Sequence, residues 1–258
     1  MSERVIPAGA FVWEELQSAD PAKAVPFYKE LVGWGTREWP LPDGGVYTLF
    51  GPEGGYVAGA QSHCERETGP FQGWLSYVSV EDVDAAAARA RELGGRVVCE
   101  PHDIPEVGRS AVLADPEGAL FALMCFASPS EDPEDPLGSF CWRELMVRDV
   151  ERAKAFYAGV LGWTTQSVDM GGMGEYTMFQ QGERSVAGLV ALTPEMGSAP
   201  AMWTPYLTVN EVDRQAERAV QLGGKLCLPP MDVPGVGRFC IITDPAGGTL
   251  ALITLAMG

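Results

Sequence analysis

A chain of 258 residues, 46% of them hydrophobic, is long enough for one large or two small domains and apolar enough to bury a core. No apolar run approaches the ~18 residues that cross a bilayer, and a formal charge of −17 spread along the chain repels nucleic acid and anionic membranes. Neither MSERVIPAGAF at the start nor ALITLAMG at the end carries a targeting or lipid-attachment pattern, so the chain is expected to be cytoplasmic.

The first predicted element is a strand over 11–17. Asp20-Pro21 then reads as an N-cap followed by proline in the first turn, and Ala24, Phe27, Tyr28 and Leu31 form a helix face that Gly33 ends. Pro26 conflicts with this helix unless its regular part starts late. Short strands follow at TREW, VYTLF and YVAGAQ between Gly-rich turns. A second strand at 74–80 leads into a helix with Val83, Ala87, Ala90 and Leu93 on one face, closed by Gly94-Gly95. Strands near 96–100, 109–114 and 119–125 complete the unit.

The remainder repeats this pattern. Residues 11–125 align with 140–254 without a gap, so that FVWEELQSADPAKAVPFYKELVGWGT faces FCWRELMVRDVERAKAFYAGVLGWTT. About a third of the paired positions are identical, far above chance. The connecting ASPSEDPEDPLGS is rich in Pro, Ser and acid, as a solvated connector should be. The expected division is a first domain at 8–127, a linker at 128–138 and a second domain at 139–257.

The six cysteines show no C-x-x-C spacing and mostly lie in apolar runs, where free buried thiols are expected. The two histidines, His63 and His102, fall in loop-like contexts without a matching histidine in the other repeat. There is no phosphate-cradling Gly loop, dinucleotide fingerprint or hydrolase elbow.

The motif D-x-x-x-A-x-x-F-Y-x-x-x-x-G-W spans Asp20 to Trp34 and again Asp149 to Trp163, and D-P-x-G spans Asp115 to Gly118 and Asp244 to Gly247. Repeated together, these resemble the vicinal oxygen chelate superfamily of glyoxalases, bleomycin-resistance proteins and extradiol dioxygenases, in its two-domain glyoxalase-like form. The resemblance implies an α+β fold of four βαβββ modules, each domain a curled mixed sheet around a cavity that holds a small molecule. In metal-using members a first-strand ligand lies seven residues before the capping Asp, and a last-strand Glu seven residues after the Asp of D-P-x-G. Here those positions are Trp13, Trp142, Ala122 and Ala251, none of which ligates a divalent cation. The resemblance therefore implies a binder with no metal and no cofactor, with a carboxylate-only site rebuilt from Glu15, Asp103 or Glu144 as the remaining alternative.

Strand alternation puts Phe11, Trp13 and Glu15 on one face, with Phe140, Trp142 and Glu144 as twins. Glu15 and Glu144 are the candidate catalytic bases, unless each merely ties its strand to an arginine. Arg109 and Arg238, in the repeated VGR, are the partners expected for those carboxylates or for a ligand's. The ligand-contact candidates are Trp13, Tyr47, Trp74, Tyr77, Arg109, Trp142, Tyr176, Trp203, Tyr206 and Arg238, several of which read equally as core. The loops REWPLPDGG and QSVDMGGMG differ, so Trp39, Met170 and Met173 are placed to cover the two sites differently. The function expected is sequestration or conversion of a small aldehyde or aromatic compound by a monomer or homodimer. The alternative is a lyase, isomerase or hydroxylase with a metal-free or rebuilt site.

Overall fold

The computed structural model describes residues 6–41, 44–53, 55–62, 72–127, 137–170 and 174–256. Chain order in the first repeat is β1 (Phe11–Ser18), α1 (Ala24–Val32), β2 (Gly35–Pro40), β3 (Val46–Gly51), β4 (Ala58–Ser62), β5 (Gly73–Ser79), α2 (Val83–Glu92), β6 (Arg96–Ile104), β7 (Gly108–Ala114) and β8 (Leu120–Phe126). The second repeat has β9 (Phe140–Val147), α3 (Val150–Leu161), β10 (Thr164–Asp169), β11 (Glu175–Gln181), β12 (Arg184–Ala191), β13 (Met202–Thr208), α4 (Val212–Gln221), β14 (Lys225–Val233), β15 (Gly237–Thr243) and β16 (Thr249–Leu255). This is βαβββ four times, an α+β fold. Each repeat forms one open eight-stranded mixed sheet, ordered β2-β3-β4-β1-β5-β8-β7-β6 and β10-β11-β12-β9-β13-β16-β15-β14.

Pro26 is accommodated because the chain first makes a single 3₁₀ turn at Pro21–Lys23 and the α-helix starts only at Ala24. Proline then sits in the first turn, where its missing N–H would have no intrahelical acceptor. Asp20 does not cap: its carboxylate pairs with Lys23 at 3.2 Å, and its backbone N–H donates to Ser18 Oγ at 3.1 Å. Its twin Asp149 does cap, accepting from the Arg152 N–H at 3.0 Å. Among the described cysteines there is no disulfide, and only Cys240 is fully buried. Cys64 and His63 lie outside the described residues.

The sheets follow the repeat; the packing does not. Two compact units emerge, one of Met1–Val12, Ser76–Pro133 and Trp142–Trp203, the other of Trp13–Leu75, Glu134–Cys141 and Thr204–Gly258. Each unit thus draws one βαβββ module from each repeat. In the second unit Leu16, Phe27, Tyr28, Trp34 and Trp74 share a core with Leu207, Val212, Ile242 and Leu252. In the first, Val78, Leu113, Phe121 and Leu123 share one with Phe156, Tyr157, Trp163 and Trp203.

A buried polar chain runs through each core. Trp74 Nε1 donates to the Tyr28 hydroxyl (3.1 Å), which donates to Asp244 Oδ2 (2.6 Å), while Asp244 Oδ1 accepts from the N–H groups of Ala246 and Gly248. Trp203 Nε1 likewise donates to Tyr157 (2.9 Å), which donates to Asp115 (3.2 Å). The Tyr of one repeat therefore meets the D-P-x-G aspartate of the other. The indole of the G-W pair is used in the same reciprocal way: Trp34 Nε1 donates to the Gly138 carbonyl and Trp163 Nε1 to that of Gly9. Both glycines have positive φ, and a Cβ on Gly9 would lie 2.8 Å from Trp163 Nε1.

Burial raises the carboxyls of Asp115 and Asp244 above the usual range, outweighing the hydrogen bonds that lower them. Between the ordinary carboxylate value of about 4 and the raised folded value, the native state binds more protons than the unfolded chain. Stability from these groups is therefore present below the unfolded value and lost as pH rises through the folded one. We expect the Asp115→Asn/Asp244→Asn double variant to show a flatter decline in stability than the parent protein on going up from pH 4, followed by urea unfolding at each pH. Identical slopes would refute this reading.

Candidate functional site

The candidate face of the second unit is assembled by three neighbouring strands. In β1, alternation presents Trp13, Glu15 and Gln17 on one side. The parallel pairing of β1 with β4 sets Glu15 opposite Gly59 and Gln17 opposite Gln61. The antiparallel pairing of β3 with β4 sets Leu49 opposite Gly59, which brings Tyr47 over that glycine. The result is a hydrogen-bonded row. Trp13 Nε1 donates to the Tyr47 hydroxyl at 2.8 Å, and Tyr47 is hydrogen-bonded to Glu15. Glu15 Oε1 also accepts from Gln17 Nε2 (2.7 Å) and Gln61 Nε2 (3.0 Å). Glu15 is only 3% exposed, so these donors offset the desolvation of its carboxylate.

The first unit builds the same row from the other repeat. Glu144 lies opposite Gly188 and Met146 opposite Val190. Trp142 Nε1 donates to the Tyr176 hydroxyl at 2.9 Å, which donates to Glu144 Oε2 at 3.1 Å. Glu144 is half-buried, unlike Glu15. Burial first, and then the neighbouring carboxylate charge, push both phenols, Tyr47 and Tyr176, above their ordinary value. Both therefore remain protonated donors across the physiological range.

A glycine makes each row possible. A Cβ on Gly59 would collide with the Tyr47 hydroxyl and ring, and one on Gly188 with the Tyr176 hydroxyl. The repeated A-G of β4 and β12 is the sequence signal for this; Gln17 and Gln61, which complete the first row, carry no comparable signal. Glu14 was missed as well: it is fully buried on the opposite face of β1.

The structure separates the other candidates from these rows. Arg109 does not reach Glu15. Its guanidinium is held by Asp84 (2.6 and 2.8 Å), by Asp103 (2.9 Å) and by the Pro101 carbonyl. Arg238 repeats this with Asp213 (2.7 and 2.8 Å) and Asp232 (3.1 Å). The expected Glu–Arg tie is thus replaced by surface ties between a helix first turn and a β-hairpin, because each VGR arginine points toward the acids of the helix at Asp84 or Asp213. Asp103 is spent in the same tie and does not join Glu15. Trp74 and Trp203 belong to the cores through Tyr28 and Tyr157. Tyr77 and Tyr206 are buried in β5 and β13, in register with Ala122 and Ala251, and Tyr206 packs on Phe239 with ring centroids 5.7 Å apart. His102 lies in β6, its Nδ1 3.0 Å from the Glu100 carbonyl oxygen.

The rims differ as their loops do. Trp39 is opposite Tyr47, half exposed, with the Arg37 guanidinium 5.6 Å from its ring centroid. Val168 takes the equivalent place opposite Tyr176. Met170 is half-buried, and Met173 lies outside the described residues. A depression of about 540 Å³ elsewhere is lined by Glu30, Arg214, Glu217 and Arg218 on α1 and α4. Its walls are solvated charges, and it carries no part of either row.

The residues at the family's metal positions do not fit a divalent cation. Each indole nitrogen bears a hydrogen already donated to a tyrosine, and Ala122 and Ala251 have no donor atom. Among the described residues, no group of three or more His, Cys, Asp or Glu side chains is placed to hold a metal ion. No described helix is long and apolar enough to cross a membrane.

Comparison with known proteins agrees with this architecture. Residues 13–124 match the glyoxalase-like domain family, and residues 139–252 match the glyoxalase/bleomycin resistance protein/dioxygenase superfamily. The Mycobacterium tuberculosis protein that carries the name glyoxylase CFP32 is 32% identical over 247 residues, 93% of each chain. The anthracycline biosynthesis protein DnrV of Streptomyces peucetius is 32% identical over a gapped alignment of 270 positions that covers 97% of this chain and 94% of its own length. In fold, the Mn(II)-bound glyoxalase of Novosphingobium aromaticivorans superposes with a TM-score of 0.62 at 16% identity, covering 96% of this chain and 82% of its own. With its modules, its repeated motifs and these relatives in agreement, the chain belongs to the glyoxalase/bleomycin resistance protein/dioxygenase superfamily.

Proposed function

We propose that the chain is a small-molecule-binding member of this superfamily that holds a planar organic compound against its Trp–Tyr–Glu rows, without the family's metal centre. The observation that carries this reading is the repetition of the row: an indole at the metal-ligand position, a phenol and a carboxylate, joined at 2.8 and 2.9 Å in the two halves. Flat apolar surface beside one hydrogen-bonding anchor suits aromatic ligands. The similarity to an anthracycline biosynthesis protein supports an aromatic compound over a small aldehyde. A second reading, metal-free proton transfer, is favoured by the half-burial of Glu144 beside a protonated tyrosine.

The test is a thermal-shift and calorimetric screen of the intact chain against small aromatics and aldehydes, alongside elemental analysis. We expect an aromatic ligand to raise the melting temperature in proportion to the logarithm of its concentration, and less than one tightly held divalent metal per chain. One metal bound per half, with no ligand response, would overturn the proposal.

A further inference from the structure

Besides the rims and the deeper burial of Glu15, two facing strand positions break the equivalence of the rows. Where the first repeat has Gln17 opposite Gln61, the second has Met146 opposite Val190, in the same register of the same strand pair. Both glutamines turn their Nε2 toward Glu15 Oε1, at 2.7 and 3.0 Å. A carboxamide held by its nitrogen presents its carbonyl oxygen on the other side. Neither of these carbonyl oxygens accepts a hydrogen bond from a described residue, and both side chains are half-buried. The first row therefore offers a pair of fixed acceptors beside Glu15, at the end of the row away from Trp13. A thioether and an isopropyl group at the same two places offer apolar surface.

We propose that the two halves select different ligand chemistry: Gln17 and Gln61 make the first select a molecule that donates hydrogen bonds, such as a hydroxylated ring, and Met146 and Val190 make the second select its apolar counterpart. This rests on the small-molecule reading above. The physical reason is asymmetric. A site built to accept hydrogen bonds disfavours a ligand that leaves its acceptors dry, and an apolar site penalises a hydroxyl that loses water without gaining a partner. The shared Trp–Tyr–Glu row supplies common affinity, so discrimination falls on positions that differ. Among the facing strand positions, the Gln17–Gln61 and Met146–Val190 pairs exchange hydrogen-bond acceptors for apolar groups.

Phenol and toluene are the probes, alike in shape and differing in one hydroxyl. Each is titrated into the intact chain while the indole N–H NMR signals of Trp13 and Trp142 are followed, assigned through Trp13→Phe and Trp142→Phe. Phenol should move the Trp13 signal at a concentration about tenfold lower than the Trp142 signal, about one hydrogen bond in affinity, and toluene should show the opposite preference. Gln17→Met with Gln61→Val should bring the first half to the preference of the second. The reciprocal Met146→Gln with Val190→Gln should do the reverse, and decides the matter if the first pair fails to fold. Equal affinity of both probes at both signals, or preferences unmoved by the exchanges, would overturn the proposal while leaving small-molecule binding intact. Binding of neither probe at either signal would overturn the parent reading and this one with it.

Discussion

Asp244→Ala should lower the stability of the protein by about 3–5 kcal/mol, read as a fall in the urea midpoint at neutral pH. The carboxylate accepts from the Tyr28 hydroxyl at 2.6 Å and from the N–H groups of Ala246 and Gly248 at 2.8 and 2.9 Å. Asp244, Ala246, Gly248 and Tyr28 are all sequestered from solvent, so truncation strands three donors where water does not reach. Asp115→Ala should lose less, because one of its donors, the Glu117 N–H, belongs to a half-exposed residue that water can serve. Tyr28→Phe removes only one hydroxyl, and about 1–2 kcal/mol is expected. A loss below that in Asp244→Ala would mean the polar chain is not the joint between the modules that its geometry describes.

Gly59→Ala and Gly188→Ala should each disable one row, with at least a tenfold loss of ligand affinity at that half. The added methyl group meets the tyrosine ring across the strand, and the backbone on which it sits is pinned in register against Glu15 or Glu144. The tyrosine must leave, breaking its bonds to the indole and to the carboxylate together. Overpacking of this kind costs about 1–3 kcal/mol in stability. Combining Gly59→Ala with Tyr47→Ala should restore part of that stability without restoring binding, a non-additive pattern that a merely flexible site would not give. Retained affinity in Gly59→Ala would rule out Tyr47 as a ligand contact.

Much of the fold was legible because it is written in local periodicities. The faces Ala24, Phe27, Tyr28, Leu31 and Val83, Ala87, Ala90 are buried as their spacing requires. Trp13 with Glu15 on one strand face also followed from alternation alone. The partners of those residues did not. Arg109 was expected at Glu15 because charge complementarity names a class of partner and not an address. The choice between Glu15 and the Asp84–Asp103 pair depends on which way the β6–β7 hairpin faces. Gln17 and Gln61 were passed over because neutral amides on a strand carry no signal until a second strand sets them beside a carboxylate.

By itself, the sequence determined the repeated βαβββ order, the family, and the replacement of metal ligands by tryptophan and alanine in both halves. Tertiary structure alone decided that each core is shared between the repeats, with Tyr28 reaching Asp244 and Tyr157 reaching Asp115. The physical reason is the duplication. Near-identical helix faces and D-P-x-G turns are present in both repeats, so hydrophobic pattern and hydrogen-bonding capacity are satisfied whichever copy is the partner. Only the three-dimensional path of the chain distinguishes the two pairings.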